Sequence, residues 1–89
     1  MDITLNGKTI PVTPLTYGVV KANGDVVDQV AKTGLSSMER TEASIAFLRL
    51  AVPDLAPEEI DNSAPGALMA AAMTVYMATF SRPEAVAPA

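Results

Sequence analysis

Cysteine, histidine and tryptophan are all missing from this 89-residue chain, and its aromatic residues are two tyrosines and two phenylalanines. Without cysteine there is no disulfide framework and no thiolate metal site. Without histidine the usual general base near neutral pH is gone, together with the commonest zinc ligand and the pivot of a hydrolase triad. Carboxylates and lysines could still do chemistry, but only in a shaped, desolvated pocket that a small core rarely encloses. The gaps argue against an enzyme, a metal centre or a bound cofactor.

Positive charge is scarce as well. Six Lys and Arg against ten Asp and Glu give a net charge of −4. Lys8, Lys21, Lys32, Arg40, Arg49 and Arg82 are spread singly along the chain. Nucleic acid is not an expected partner, because there is no basic patch to displace counterions from phosphates. Met1-Asp2-Ile3-Thr4-Leu5 has neither a basic start nor an apolar run, so it does not read as a secretory signal. The span from Asn62 to Ser81 carries no charge and has the length of about 20 residues that a bilayer requires. It contains Pro65 and Gly66 and is rich in alanine, which favours a helix buried in protein on more than one side over a membrane span.

A chain of this length forms one domain and buries only roughly 60–65% of the surface its unfolded form exposes. Its punctuation divides it clearly. In residues 2–12 two alternating apolar runs flank Asn6-Gly7, the pair best suited to a type I′ hairpin turn. Ile3 and Leu5 share one face of the first strand, Ile10 and Val12 one face of the second. Pro11 cannot donate to a ladder, so the second strand is an edge or ends there. A lone hairpin is marginal in water, so it either caps the helices or serves as a docking arm.

From Leu15 to Lys32 one apolar stripe (Leu15, Val19, Ala22, Val26, Val30) is widened by Val20, Val27 and Ala31. Lys21–Asp25 and Asp28–Lys32 fall opposite as i,i+4 pairs of opposite charge. The stripe stays in register across Asn23-Gly24, which predicts one helix, bent there, ended by Thr33-Gly34. Ser36-x-x-Glu39 is a capping box that opens a second helix, which must stop before Pro53. On it Met38, Ile45, Leu48 and Val52 lie on one side and Phe47 and Leu50 on another, as expected of a central helix with two neighbours. Pro57-Glu58-Glu59 starts a short helix, with proline at the first position and carboxylates at the positive end of the dipole. Its acidic residues lack the spacing of a calcium loop.

A last helix is predicted from Pro65 to Phe80, capped by Ser63. Met69, Met73, Tyr76 and Phe80 form one large-side-chain stripe. Leu68, Ala72, Val75 and Thr79 form a second beside it, leaving Ala70, Thr74 and Ala78 opposite. The apolar arc is wider than one core-facing stripe needs. Leu68, Ala72 and Val75 are therefore assigned to the domain's own core, and Met69, Met73, Tyr76 and Phe80 to a partner, a second copy or a client helix. The competing arrangement makes both stripes internal, with the hairpin covering the second. The expected fold is mainly α: an N-terminal β-hairpin arm over 1–12, a domain of three to four helices over 13–82, and a frayed tail over 83–89.

Two segments carry a family resemblance. Pro14-Leu15-Thr16-Tyr17-Gly18-Val19-Val20-Lys21 resembles the x-Pro-Thr-x-Gly-Asp-Leu lead-in to the first helix of the tail assembly chaperones of tailed bacteriophages, although Val19 stands where that pattern has aspartate. Val52-Pro53-Asp54-Leu55-Ala56-Pro57-Glu58-Glu59-Ile60-Asp61 resembles their Leu-Pro-x-x-Asp-x-Leu element, an acidic turn and helix before the final apolar helix. The resemblance covers roughly residues 13–80, in order and spacing rather than identity. It implies a non-enzymatic assembly factor of the host bacterium's cytoplasm, self-associating, that holds the apolar tape-measure protein and the tail-tube subunits polymerising around it. A head–tail joining or minor tail subunit of the virion, and a small helical regulator such as an antitoxin, are the alternatives the same helices allow. Elemental analysis of the purified protein is expected to find no stoichiometric zinc or other metal; one zinc per chain would overturn the non-catalytic expectation.

Overall fold

The structure is a computed structural model, and it describes residues 1–81. The expected tail over 83–89 lies outside the described residues. The chain opens with strands β1 (Asp2–Leu5) and β2 (Lys8–Pro11), paired antiparallel with Ile3 opposite Ile10 and Leu5 opposite Lys8. The two-residue turn has φ of 52° at Asn6 and 75° at Gly7, the doubly positive geometry that Asn-Gly adopts at least cost. A bond from the Val12 amide to the Met1 carbonyl (2.9 Å) extends the ladder.

The hairpin is a packed cap. Ile3, Leu5 and Val12 are buried, and β1 lies against the last helix. Lys8, directly opposite Leu5, points to the same inner side. Its ammonium pairs with the Glu59 carboxylate, 51 residues away in sequence, and that pairing raises the pKa of Lys8.

The expected first helix is two helices, α1 (Tyr17–Ala22) and α2 (Gly24–Ala31). The break is at Asn23, with φ −125° and ψ 38°. Its backbone amide reaches the carbonyls of Val19 and Val20, and its side-chain amide donates a second bond to Val19 at 2.9 Å. Asn23 thus satisfies the orphan carbonyls at the end of α1, while its own carbonyl accepts from Val27 to start α2. The break redirects the stripe: Val27 is the buried residue, Val20, Val26 and Val30 are half-buried, and Ala22 and Ala31 are exposed. It also places Lys21 and Asp25 on separate helices, and neither predicted i,i+4 pair forms a salt bridge among the described residues. Thr16 caps α1 by accepting from the Val19 amide (3.3 Å). Gly34 has φ 83°, although the helix itself closes earlier, at Lys32.

Helix α3 (Ser37–Ala51) begins with the predicted capping box. The Glu39 amide donates to the Ser36 hydroxyl (3.1 Å) and the Ser36 amide to the Glu39 carboxylate (2.9 Å). Those bonds, the one from the Ser36 backbone foremost, hold the Glu39 pKa below the ordinary carboxylate range. The helix is central, packed on α2 and on the last helix, with Phe47 and Leu48 fully buried. Met38, expected in its apolar sector, is 67% exposed. It sits in the first turn, and the buried part of α3 begins at Thr41.

Helix α4 (Pro57–Asp61) starts at Pro57 as predicted and buries Ile60 beside Leu55. Helix α5 (Pro65–Phe80) packs against α3 and β1 through Leu68, Ala71, Ala72 and Val75. Ser63 does not cap it. The Ser63 hydroxyl donates back to the Glu59 carbonyl (2.6 Å), closing α4, and α5 starts at Ala64-Pro65 without a side-chain cap. The Leu15 amide donates to the Thr79 hydroxyl (3.0 Å), tying the segment after the hairpin to the far end of α5. The architecture is mainly α, with five helices rather than three to four and one two-stranded sheet.

Two substitutions test the backbone assignments. Gly7→Val forces a β-branched residue into positive φ and is expected to disorder residues 2–12; unchanged amide shifts and exchange protection there would refute the turn. Gly24→Ala places a methyl group where nothing lies within 4 Å, at a glycine without positive φ. Denaturant titration should show a gain of about 0.4–1 kcal/mol, mostly from a less flexible unfolded chain.

Candidate protein-binding face

Helix α5 has more apolar surface than its neighbours cover. The expected core stripe is in place, with Leu68, Ala72 and Val75 buried, and Ala71 joins it. The four residues assigned to a partner divide into two pairs. Met73 (53%) and Phe80 (49%) are exposed, whereas Met69 and Tyr76 are half-buried. Tyr76 links the interior to the surface: its ring centroid lies 5.8 Å from that of Phe47 in the core and 4.6 Å from that of Phe80 outside, both tilted. Such aromatic contacts stabilise beyond simple burial and fix the edge of the face.

Met77 was not among the predicted residues, yet it is 62% exposed. On a helical projection it falls about 40° beyond Met73, away from the core. The open face is therefore rotated relative to the predicted stripe. Met73, Met77 and Phe80 dominate it, Ala70 and Thr74 complete it, and Met69 and Tyr76 form its shoulder. The one hydroxyl on it, Thr74, donates to the Ala70 carbonyl (3.0 Å), so it requires no outside partner. The exposure of Met73 and Phe80 was legible in the sequence; the rotation depends on Ala71 packing inward, which a residue so small does not announce.

At the shoulder a cleft of about 70 Å³, open on one side, lies between α2, α3 and α5. Val30 and Ala31 come from α2, Arg40 and Ser44 from α3, and Met69, Ala72, Met73 and Tyr76 from α5. A second, shallower depression runs along Tyr76, Met77 and Phe80 to Ser81. The Ser44 hydroxyl donates to the Arg40 carbonyl (2.9 Å). Among the described residues the Arg40 guanidinium has neither an ion pair nor a hydrogen bond.

Among the described residues no group of three or more acidic, histidine or cysteine side chains stands close enough to hold a metal ion, and no helix is long and apolar enough to cross a membrane. Chemically, the face offers flexible thioethers, one aromatic edge and no charge. That combination suits apolar contact with another polypeptide. Comparison with protein-family models, with curated proteins and with solved structures finds no match to this chain.

Proposed function

We propose that the protein is a non-enzymatic assembly factor that binds other protein chains through the open face of α5, in the manner of a phage tail assembly chaperone holding an apolar tape-measure or tail-tube client. The observation that carries this reading is the exposure of Met73, Met77 and Phe80 on one side of a helix without a single charge. Methionine side chains are unbranched and polarizable, so one surface can adapt to varied apolar partners. The net charge of −4 keeps a carrier with such a face from precipitating. The likeness of residues 14–21 and 52–61 to the chaperone pattern supplies the client class, and with it self-association and a place in the host cytoplasm. No catalytic role is part of the proposal.

Met73→Glu tests it. Half-exposed, this position should accept the carboxylate with a stability change within about 0.5 kcal/mol by thermal melting. Co-purification with co-expressed tape-measure or tail-tube protein should be lost. A Met73→Glu protein that is unfolded would place Met73 in the core, and one that is folded and still retains its clients would remove the face from the binding site.

A further inference from the structure

Arg40 gives the cleft beside α5 a chemistry that the rest of the face lacks. Arg40 is a half-buried residue in the lining of the cleft, and its guanidinium has no carboxylate partner among the described residues, although the chain as a whole is acidic. A guanidinium is a planar, forked donor that matches a bidentate oxygen acceptor. The cleft is less than half the size of the ~150 Å³ cavity that accepts benzene, so it suits one aliphatic side chain rather than an aromatic ring. Met69 and Met73 form its flexible rim, and the Ser44 hydroxyl beneath donates to backbone.

We infer that this cleft is a socket for one aliphatic side chain of a partner helix that carries an Asp or Glu about one turn away, the carboxylate being clamped by Arg40. The inference rests on the protein-binding reading of α5 and narrows its partner to an apolar helix with an acid beside the anchor. A second copy of this chain fits less well: pairing α5 on α5 brings no carboxylate to Arg40, because residues 62–81 are uncharged. The socket thus sets register and choice of partner, while Met77 and Phe80 supply contact area that does not discriminate by charge.

The test uses the full-length protein and two synthetic amphipathic helical peptides, identical except that Glu or Lys lies four residues from a single leucine anchor. By fluorescence anisotropy at low salt the Glu peptide should bind about tenfold tighter than the Lys peptide. Arg40→Glu should invert that order, Arg40→Lys should keep its direction with a smaller ratio, and circular dichroism should show both variants folded. Equal binding of the two peptides would overturn the socket and leave the apolar carrier reading standing. Failure of both peptides to bind, together with loss of tail-protein co-purification in Met73→Glu, would also overturn the socket while the carrier reading survives. Methyl contacts between Val86 and Met73 in the free chain would assign the cleft to this chain's own C-terminal segment. A peptide affinity that falls as the protein self-associates would assign it to a second copy. Either result overturns the proposal.

Discussion

The burial of one side of α5 against α3 and β1 governs both how this chain folds and what it leaves open. Sixteen residues from Pro65 to Phe80 contain no charge and few polar groups, so the hydrophobic effect alone cannot choose which side faces inward. Size and shape choose instead. Leu68, Ala71, Ala72 and Val75 present a low, smooth surface to α3 and the hairpin, whereas Met73, Met77 and Phe80 would need deeper holes. Among the described residues no further element lies over them. The open apolar face follows from having one apolar helix more than the core can enclose.

The parts of the fold that were legible are those governed by local chemistry. Asn6-Gly7, the Ser36–Glu39 capping box, Pro57 as first helical residue and the stop before Pro53 each rest on a few adjacent residues whose backbone demands are specific. The misreadings occur where two local solutions competed. Asn23 can ride inside a helix or end one, and its side-chain bond to Val19 decides for the second. Ser63 can cap α5 or close α4, and it closes α4. Met38 satisfied the periodicity of α3 but lies in its first turn, before the buried part begins. At the candidate face, periodicity identified the methionine and aromatic stripe but not its orientation. The orientation depends on long-range packing, and it turned Met69 and Tyr76 into a shoulder and brought Met77 outward.

Charge is distributed so as to keep the two sides of the molecule distinct. The Lys8–Glu59 pair fastens the hairpin to α4 from the inner side of the sheet, which holds Ile3 and Leu5 on the core. With the Lys8 side chain 65% exposed, solvent screens the pair, which makes it a positioning device more than a source of stability. Glu39 is engaged at the start of α3 by Ser36. Arg40, one residue further on, has no ion pair among the described residues, and α5 carries no charge.

The most direct test of the central claim, that the outer side of α5 is covered by partner protein, is methionine oxidation by dilute peroxide followed by peptide mass spectrometry. Met38 is exposed on α3 and serves as the internal standard. In the free protein Met38, Met73 and Met77 should oxidise at similar rates and faster than Met69. In the complex with a tape-measure or tail-tube protein, Met73 and Met77 should be protected while Met38 continues to react. Protection of Met38 with Met73 and Met77 as reactive as before would contradict the account.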